Sequence, residues 1–503
     1  MDAKEDNGKF KIDDALEIAT FGIFHYFLIF ICGLLMSAIF CEIMSVNFSL
    51  PVAECDLSIT SKSQYGIVSG SWFAGMILTA YLWGLLSDLY GRRNILTVTP
   101  IIGFMTAVAS SFSTHYLMLA VFRFFNGICM SSAGAVVFAY LGEFLTTRNR
   151  SRSIMIASII FGIISTAFPI SAYFIINQNW KLHIEFLNII YKPWRLFVLM
   201  CGLPSLICGI AFIFLPESPK FCFSKGQTQK SLKILNQIYF LNTRKSDFKV
   251  KDIQLKDEFI QASSNPKGVL RMMLHNTLQM LKNYPRSFWL LSIIQFGTFY
   301  VCHGLLLFFP DILHEVSQFS ESSSSLQLCD VVDKVIAHKT NLSSNFIEVC
   351  VDELDISAYT YVTILQSCFL VGFLVISFTV NYIGRFPILI FIFLTTGLCG
   401  ILIAFIKNAT VATYLYLWLL VSGVNSNLLN TVSYDLFPTN LRSMAISTTM
   451  LFGRLGGLAG GNVASILLEK SCNWTFGIGG ILLVLCGVLV IFIPNIFRRK
   501  EPV

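Results

Sequence analysis

The sequence predicts an all-α membrane protein with twelve transmembrane helices in two six-helix pseudo-repeats. Three observations support this prediction. Hydrophobic residues make up 55 % of the 503-residue chain and charged residues only 13 %, about half the charged fraction of a soluble protein. Long segments without Asp, Glu, Lys or Arg recur along the chain, and charged motifs of the first half return in the second. This composition excludes a soluble enzyme, a disordered chain and a disulfide-stabilised secreted domain.

Twelve segments, called span 1 to span 12 in chain order, are long enough to cross a bilayer, which takes about 20 helical residues. Ten contain no Asp, Glu, Lys or Arg, and two contain one Arg each, Arg123 and Arg454. Their continuous hydrophobicity favours helices over strands. The predicted segments are 18–41, 63–87, 94–122, about 115–138, 153–180, 196–216, 287–310, 356–384, 386–406, 408–434, about 444–468 and 471–497.

The distribution of Lys and Arg predicts the orientation, because cytoplasmic loops are enriched in both. With both termini cytoplasmic, 26 of the 36 Lys and Arg residues lie in cytoplasmic segments, 8 in the opposite loops and 2 within spans. No cleavable signal is recognisable, so span 1 is expected to act as the membrane signal. The predicted organisation is an N-terminus at 1–20, a six-helix bundle at 21–216, a basic cytoplasmic loop with short helices at 217–286, a second bundle at 287–497 and a C-terminus at 498–503.

The non-cytoplasmic loop at 311–357 is acidic and rich in Ser. It contains the sequon Asn341-Leu342-Ser343. A sequon in a long loop on this side is a glycosylation site, so we expect Asn341 to be glycosylated.

Fourteen cysteines lie mostly within apolar segments. Cys329 and Cys350 lie in the loop on the predicted oxidising side and are the candidate disulfide. Cys55 and Cys472 are predicted on the same side, so another pairing and free thiols stay open. The Cys and His residues show no metal-site spacing, and neither a metal nor a cofactor is predicted.

An internal repeat connects the two halves. Four positions recur within one residue of the same offset, 293 for the first two and 292 for the others. The chain is therefore interpreted as a tandem repeat of six-helix halves, which is the architecture of an alternating-access transporter. The matched residues are Gly91, Arg92, Glu143 and Arg150 in the first half and Gly384, Arg385, Asp435 and Arg442 in the second.

These motifs carry a family resemblance over about residues 20–497. GLLSDLYGRR at 84–93 resembles the signature of the major facilitator superfamily. LPESPK at 215–220 and DLFPTNLR at 435–442 resemble its sugar-porter and organic-ion-transporter branch. LPVAECD at 50–56, Trp83-Gly84 and WRLFVL at 194–199 are most similar to the synaptic vesicle glycoprotein 2 family.

The resemblance implies inner-gate links that hold while the cytoplasmic gate is shut and break when it opens. Gly91 permits a tight turn, Asp88 is placed to face a helix N-terminus of the other half, and the arginines are placed to pair with carboxylates. The second copy has Asn381 where an acid is usual, which predicts a weaker lock. A positive-inside turn without a gating role is the alternative. The predicted inner-gate residues are Asp88, Gly91, Arg92, Arg93, Glu143, Arg150, Glu217, Arg385, Asp435 and Arg442.

Charges inside the membrane indicate candidate substrate-pathway residues. Glu42 in span 1 and Arg123 in span 4 are predicted at similar depth, so we expect them to face the cavity and pair. A purely structural ion pair is the alternative. Ile39 stands where vesicle-glycoprotein relatives carry a second acid, so a proton relay would depend on Glu42 alone.

Arg454 lies near the middle of span 11, where it cannot reach water easily. In organic-ion transporters a basic residue at the similar position accompanies anionic substrates, and a helix–helix bond is the alternative. Asn427 and Asn430 lie one turn apart in span 10 and are expected to face inward. Their amides either bind substrate or connect helices. Glycines around Arg454 favour close helix packing.

Two functions follow as hypotheses. The first is a secondary active or facilitative transporter of small organic solutes by alternating access, with organic anions favoured by Arg454 and with a proton or another ion as the candidate coupled ion. The second is a non-transporting vesicle membrane protein of the synaptic vesicle glycoprotein 2-like type, acting in binding or trafficking. No nucleotide-binding loop or nucleophile–base pair is recognisable, so neither an enzyme nor a nucleic-acid binder is expected. A monomer is expected, in the plasma membrane or an intracellular vesicle.

Overall fold

The protein is described here by a computed structural model that covers residues 9–10, 12–59, 62–185, 189–248, 250, 252–253, 275, 277–306, 312, 328–329, 356–438 and 441–493. Within these ranges eleven helices are long and apolar enough to cross a membrane. Spans 1 to 6 are Ile23–Ala53, Lys62–Tyr90, Arg92–Ser111, Tyr116–Glu143, Thr147–Ile176 and Pro193–Phe214. Spans 7 to 9 are Pro285–Leu306, Ile356–Ile383 and Arg385–Ile403.

The last three spans depart from simple helices. Span 10 consists of Ala409–Leu420 and Asn425–Leu436 joined by the 3₁₀ turn Val421–Val424. Together the three pieces are long enough to cross the membrane. Span 10 therefore adds a twelfth crossing to the eleven single helices of the described residues. Spans 11 and 12 lie in one continuous stretch, Arg442–Ile491, that Ser471 interrupts with non-helical backbone.

Short elements lie at the two ends of the bundle. We call the end that carries residues 217–243 the inner end, since the Lys and Arg bias predicts that it faces the cytoplasm, and the opposite end the outer end. The inner end carries helices Ile12–Ile18, Pro219–Ser224 and Thr228–Thr243. Strand Lys9–Phe10 pairs there in parallel with Asp252–Ile253, and at the outer end Leu182–Ile184 pairs antiparallel with Ile189–Tyr191.

Glycines bring spans 7 and 11 into backbone contact. A Cβ on Gly456 would lie 2.2 Å from the Phe296 carbonyl oxygen, and one on Gly460 would lie 2.2 Å from the Tyr300 carbonyl oxygen. A Cβ on Gly461, one residue further, would have no atom within 4 Å. Small residues at a membrane-helix interface permit such close approach, so this part of the glycine-rich segment serves helix packing.

The disulfide prediction was wrong in its pairing. Cys329 is bonded to Cys472, with 5.5 Å between their Cα atoms and a sequence separation of 143. Nearness in sequence does not bring two Cα atoms within bonding range, and the fold instead places the start of span 12 beside Cys329. Cys55 is also disulfide-bonded. Cys350 and the predicted glycosylation site Asn341 lie outside the described residues.

Candidate functional site

A buried charged cluster joins spans 2, 3 and 4 at the inner end. The Arg92 guanidinium lies 2.7 Å from Asp88 Oδ1 and 3.0 Å from Glu143 Oε1. The second oxygen of Asp88 accepts a hydrogen bond of 3.3 Å from the main-chain N–H of Met444, in the first turn of span 11. The positive end of a helix dipole stabilises a carboxylate there. Asp88 therefore contacts a helix N-terminus of the second half.

The carboxylate of Glu217 binds main-chain N–H groups. Its Oε1 accepts the main-chain N–H groups of Arg92 at 3.1 Å and Arg93 at 3.2 Å, which caps the start of span 3. Gly91 makes the approach possible: its φ is +102°, and a Cβ there would lie 2.2 Å from Glu217 Oε2. Burial raises the pKa of the Glu217 carboxyl, against the opposing effect of the N–H groups of Ser218 and Arg93. Arg93 itself donates to carbonyl oxygens at the end of span 6.

Because Glu217 acts as a cap, its acceptor oxygen should matter more than its charge. Glu217→Ala leaves the N–H groups of span 3 without that acceptor and should lower stability by about 1–2 kcal/mol. Glu217→Gln retains an acceptor and removes a charge that burial disfavours, so it should unfold close to wild type. Thermal unfolding of both purified variants measures the difference. Equal losses in the two variants would contradict the capping role.

A second cluster connects the two halves directly. Asp435 at the end of span 10 forms ion pairs with Arg385 of its own half and with Arg150 of the first half. Arg150 also stacks on the Tyr434 ring, 4.1 Å from its centroid, and Arg442 packs at 3.8 Å from the same centroid. Arg442 further donates to the Tyr434 carbonyl oxygen. The repeat predicted Asp435 and the three arginines, but the crossing of Arg150 to Asp435 was not visible in their spacing.

The halves also touch at the outer end, through residues that the sequence analysis missed. The Tyr359 ring in span 8 stacks on Phe48 of span 1, with 5.3 Å between ring centroids. The Tyr359 hydroxyl donates to Asn177 Oδ1 at 3.2 Å, just beyond span 5. Aromatic residues at span ends are common membrane-interface anchors, so nothing in the sequence distinguished Tyr359.

Glu42 and Arg123 form an ion pair of 3.0 Å, and both side chains are fully buried. Arg123 also donates to the Glu42 carbonyl oxygen. A Cβ on Gly202 of span 6 would lie 3.3 Å from Glu42 Oε1, so the carboxylate points toward span 6 of its own half. Every hydrogen bond and ion pair that the structure gives these two side chains stays within the first half. This geometry agrees with a structural pair better than with a cavity-lining one.

Arg454 occupies the junction between the halves at mid-depth. It lies twelve residues after Arg442, the first residue of its helix, or about 18 Å along the axis. Its Nη1 donates to the Met76 carbonyl oxygen at 3.0 Å and to Ser131 Oγ at 2.8 Å, on spans 2 and 4. Gly134 makes room for Nη2, since a Cβ there would lie 3.0 Å away. Among the described residues, no carboxylate lies within ion-pair distance of Arg454.

Span 10 adds three amide side chains, of which Asn425 and Asn430 are buried and Asn427 is half-buried. Asn427 donates to Ser158 Oγ of span 5 at 2.9 Å, which joins the halves. Asn430 is 1 % exposed, and its Nδ2 has no hydrogen-bond partner in the described part of the chain. Both amide atoms of Asn425 and Gln295 Oε1 on span 7 also lack a hydrogen-bond partner among the described residues. The predicted pathway residues therefore separate into the Glu42–Arg123 pair inside the first half and a set at the junction.

Comparison with known proteins identifies the family. The family model described as Major Facilitator Superfamily matches residues 23–331 and 337–502. The chain belongs to the major facilitator superfamily. It is accordingly a multi-pass membrane protein with the transporter fold of that superfamily.

Relatives within the superfamily include vesicle proteins. Synaptic vesicle glycoprotein 2B from Homo sapiens is 29 % identical over 315 residues, which cover 58 % of this chain and 46 % of that protein. The putative transporter svop-1 from Caenorhabditis elegans is 23 % identical over 500 residues, covering 96 % of this chain and 85 % of that protein. The chain thus resembles the synaptic vesicle glycoprotein 2-like branch, and it spans about half the length of the vesicle glycoproteins that it matches.

Solved structures of the superfamily share the fold. The proton:xylose symporter XylE bound to 6-bromo-6-deoxy-D-glucose has a TM-score of 0.65 at 15 % identity, covering 93 % of this chain and 96 % of that one. The human organic anion transporter MFSD10 has a TM-score of 0.57 at 14 % identity, covering 92 % and 98 %. At such identities the likeness establishes the superfamily fold.

Proposed function

We propose that this chain is a membrane transporter that moves a small organic anion by alternating access of its two halves. Arg454 carries the proposal. Its guanidinium is buried at mid-depth between the halves, and its hydrogen bonds go to the neutral acceptors Met76 O and Ser131 Oγ. A charge inside the membrane is costly, and a substrate carboxylate or phosphate would offset that cost with charge-assisted hydrogen bonds.

Buried amides of spans 7 and 10 support a polar substrate. The side chains of Asn425, Asn430 and Gln295 each have at least one buried atom without a hydrogen-bond partner among the described residues. Leaving such a group unpaired costs about 1–3 kcal/mol. Hydroxyl, carbonyl or amine groups of a bound solute would supply the missing partners.

The contacts at the inner end support alternating access. Arg150–Asp435 and Asp88–Met444 join the halves there, which supports a closed inner end. Opening that end requires both contacts to break. Glu42, the residue on which a proton relay would depend, points toward Gly202 of its own half rather than toward the junction. Uptake at two external pH values tests whether a proton is coupled.

The vesicle-component hypothesis rests on the resemblance to the synaptic vesicle glycoproteins. It predicts a membrane protein that carries no solute but still folds and reaches its membrane. The buried polar groups around Arg454 would then serve helix packing. Measuring transport separates the two functions.

Uptake of labelled organic anions, cations and sugars into cells that produce the protein is the test. We expect saturable anion uptake that falls by about 10-fold or more in Arg454→Gln, because hydrogen bonds to a charged group contribute ~1.5–3 kcal/mol. Arg454→Lys should retain part of it. Lys407→Gln, which removes an exposed cation beyond span 9, is the matched control and should transport like wild type.

Other outcomes assign the function differently. Cation or sugar uptake that survives Arg454→Gln would keep the transporter and reject the anion. An absence of uptake for the whole panel, with the protein confirmed in the membrane under study, would favour the vesicle-component function.

A further inference from the structure

A cavity at the inner end lies apart from the junction between the halves. Its volume is ≈ 580 Å³, within the ~300–1,000 Å³ of typical small-molecule sites. Its walls come from the start of span 1, the end of span 6, the start of span 3 and helix Thr228–Thr243. The lining includes Phe24, Phe27, Arg93, Phe214, Phe240 and Leu241.

The apolar wall of this cavity is open on one side. Phe27 is 47 % exposed, Phe214 82 % and Phe240 49 %. Phe27 lies in the second turn of span 1 and Phe214 is the last residue of span 6. Both therefore lie at the inner ends of their spans, where the edge of the hydrocarbon core is expected. Exposed apolar surface of this kind marks an interaction site. Its depth favours a ligand that enters from the bilayer over one that enters from water.

Basic residues lie on or next to the helix that lines this cavity. Lys230 and Lys233 precede Gln237 of the lining by seven and four residues, and Arg244 follows it by seven. At 100° per residue Lys230 and Lys233 project from the face of helix Thr228–Thr243 that lines the cavity. Arg244 is the residue that directly follows this helix. The opposite face, with Leu235, is buried against the bundle. The helix contains no Asp or Glu, which is typical of a helix at an anionic membrane surface.

Arg93 adds a positive charge to the cavity wall. Its Nε and Nη2 donate to the main-chain carbonyl oxygens of Phe212 and Ile213. Within the described ranges it forms no ion pair with a carboxylate. The cavity lining therefore combines an apolar wall with the Arg93 cation and includes no acidic residue among the described residues.

We propose that this cavity binds an anionic glycerophospholipid of the inner leaflet. One acyl chain lies against Phe27, Phe214 and Phe240, and the phosphate headgroup lies among Arg93 and the cations of helix Thr228–Thr243. The site goes beyond the proposed transport function, because it lies on the outside of the first bundle and not between the halves.

Lipid binding to the full-length protein in mild detergent tests this site by native mass spectrometry. The probes are dioleoylphosphatidylglycerol and dioleoylphosphatidylcholine, added at equal concentrations. Wild type should retain the phosphatidylglycerol at least about fivefold more tightly. Phe240→Glu, which places a carboxylate in the cavity, should abolish this preference. Phe405→Glu is the control, since Phe405 is 73 % exposed at the outer end and should leave the preference intact.

A second variant tests the headgroup contacts on exposed positions, where folding is not at risk. Lys230→Gln, Lys233→Gln and Arg244→Gln combined should weaken phosphatidylglycerol binding, by about fivefold for each cation near the lipid surface, and leave phosphatidylcholine binding unchanged. Equal binding of both lipids to wild type would overturn the proposal. So would an unchanged preference in both Phe240→Glu and the triple variant.

Discussion

Gly456→Ala/Gly460→Ala is expected to prevent stable packing of span 7 against span 11. Each new Cβ would lie 2.2 Å from a main-chain carbonyl oxygen, of Phe296 and Tyr300 respectively. A backbone atom cannot rotate away as a side chain can, so the two helices must separate along their whole contact. Overpacking costs about 1–3 kcal/mol per site, and two sites on one interface act together. The double variant should be recovered largely as aggregate.

Size-exclusion profiles and thermal unfolding of the detergent-extracted protein measure this effect. Gly461→Ala is the matched control, because it makes the same change one residue further along, where a Cβ meets no atom within 4 Å. It should behave like wild type. If both variants give the same monodisperse peak and unfolding temperature, the close contact between these spans does not limit stability.

Asp435→Asn is expected to open the inner end. Asp435 pairs with Arg150 across the halves and with Arg385 in its own half, and its side chain is only 16 % exposed. Removing one member of a buried ion pair costs ~3–5 kcal/mol, because the remaining charge is left uncompensated. Here two arginines lose their anion in the state with a closed inner end. The equilibrium should therefore shift strongly toward the state in which these arginines reach water.

Thiol labelling detects the shift. Ser158 on span 5 lies deeper in the bundle than the inner-end contacts and is fully buried. Its hydroxyl accepts a hydrogen bond from Asn427 of the other half. A Ser158→Cys reporter should react with a membrane-impermeant reagent, applied from the inner side, much faster when Asp435→Asn is also present. Asp247→Asn removes an exposed carboxylate of the inner loop and should leave the rate unchanged. Equal labelling of the reporter with and without Asp435→Asn would refute the lock.

The inner-end contacts follow the internal repeat only in part. Arg92 with Glu143 and Arg385 with Asp435 are equivalent pairs, each within its own half. The contacts between halves are not equivalent, since Arg150 reaches Asp435. Asp88 contacts span 11, whereas the second copy has Asn381 at its acid position. We therefore propose that closure of the inner end depends mainly on residues of the first half that contact the second.

The sequence alone determined the membrane class, the twelve crossings and their pairing into two halves. These depend on local properties: the length of each apolar segment must match the bilayer, and a repeat is visible as a constant offset. The break in span 10 did not prevent the sequence from predicting this crossing, because the hydrophobicity continues through Val421–Val424. The charged motifs at span ends could be found for the same reason.

Only the tertiary structure decided which of these residues meet. A span that is apolar on all sides carries no signal for its rotation, so the sequence could not tell that Glu42 points toward Gly202 rather than toward the junction. Nor could it tell that Cys329 meets Cys472. Arg454 was predicted to be important, but its contacts with Met76 and Ser131 exist only because the two halves pack together. Contacts between distant segments are set by how whole helices pack, and no spacing along the chain encodes them.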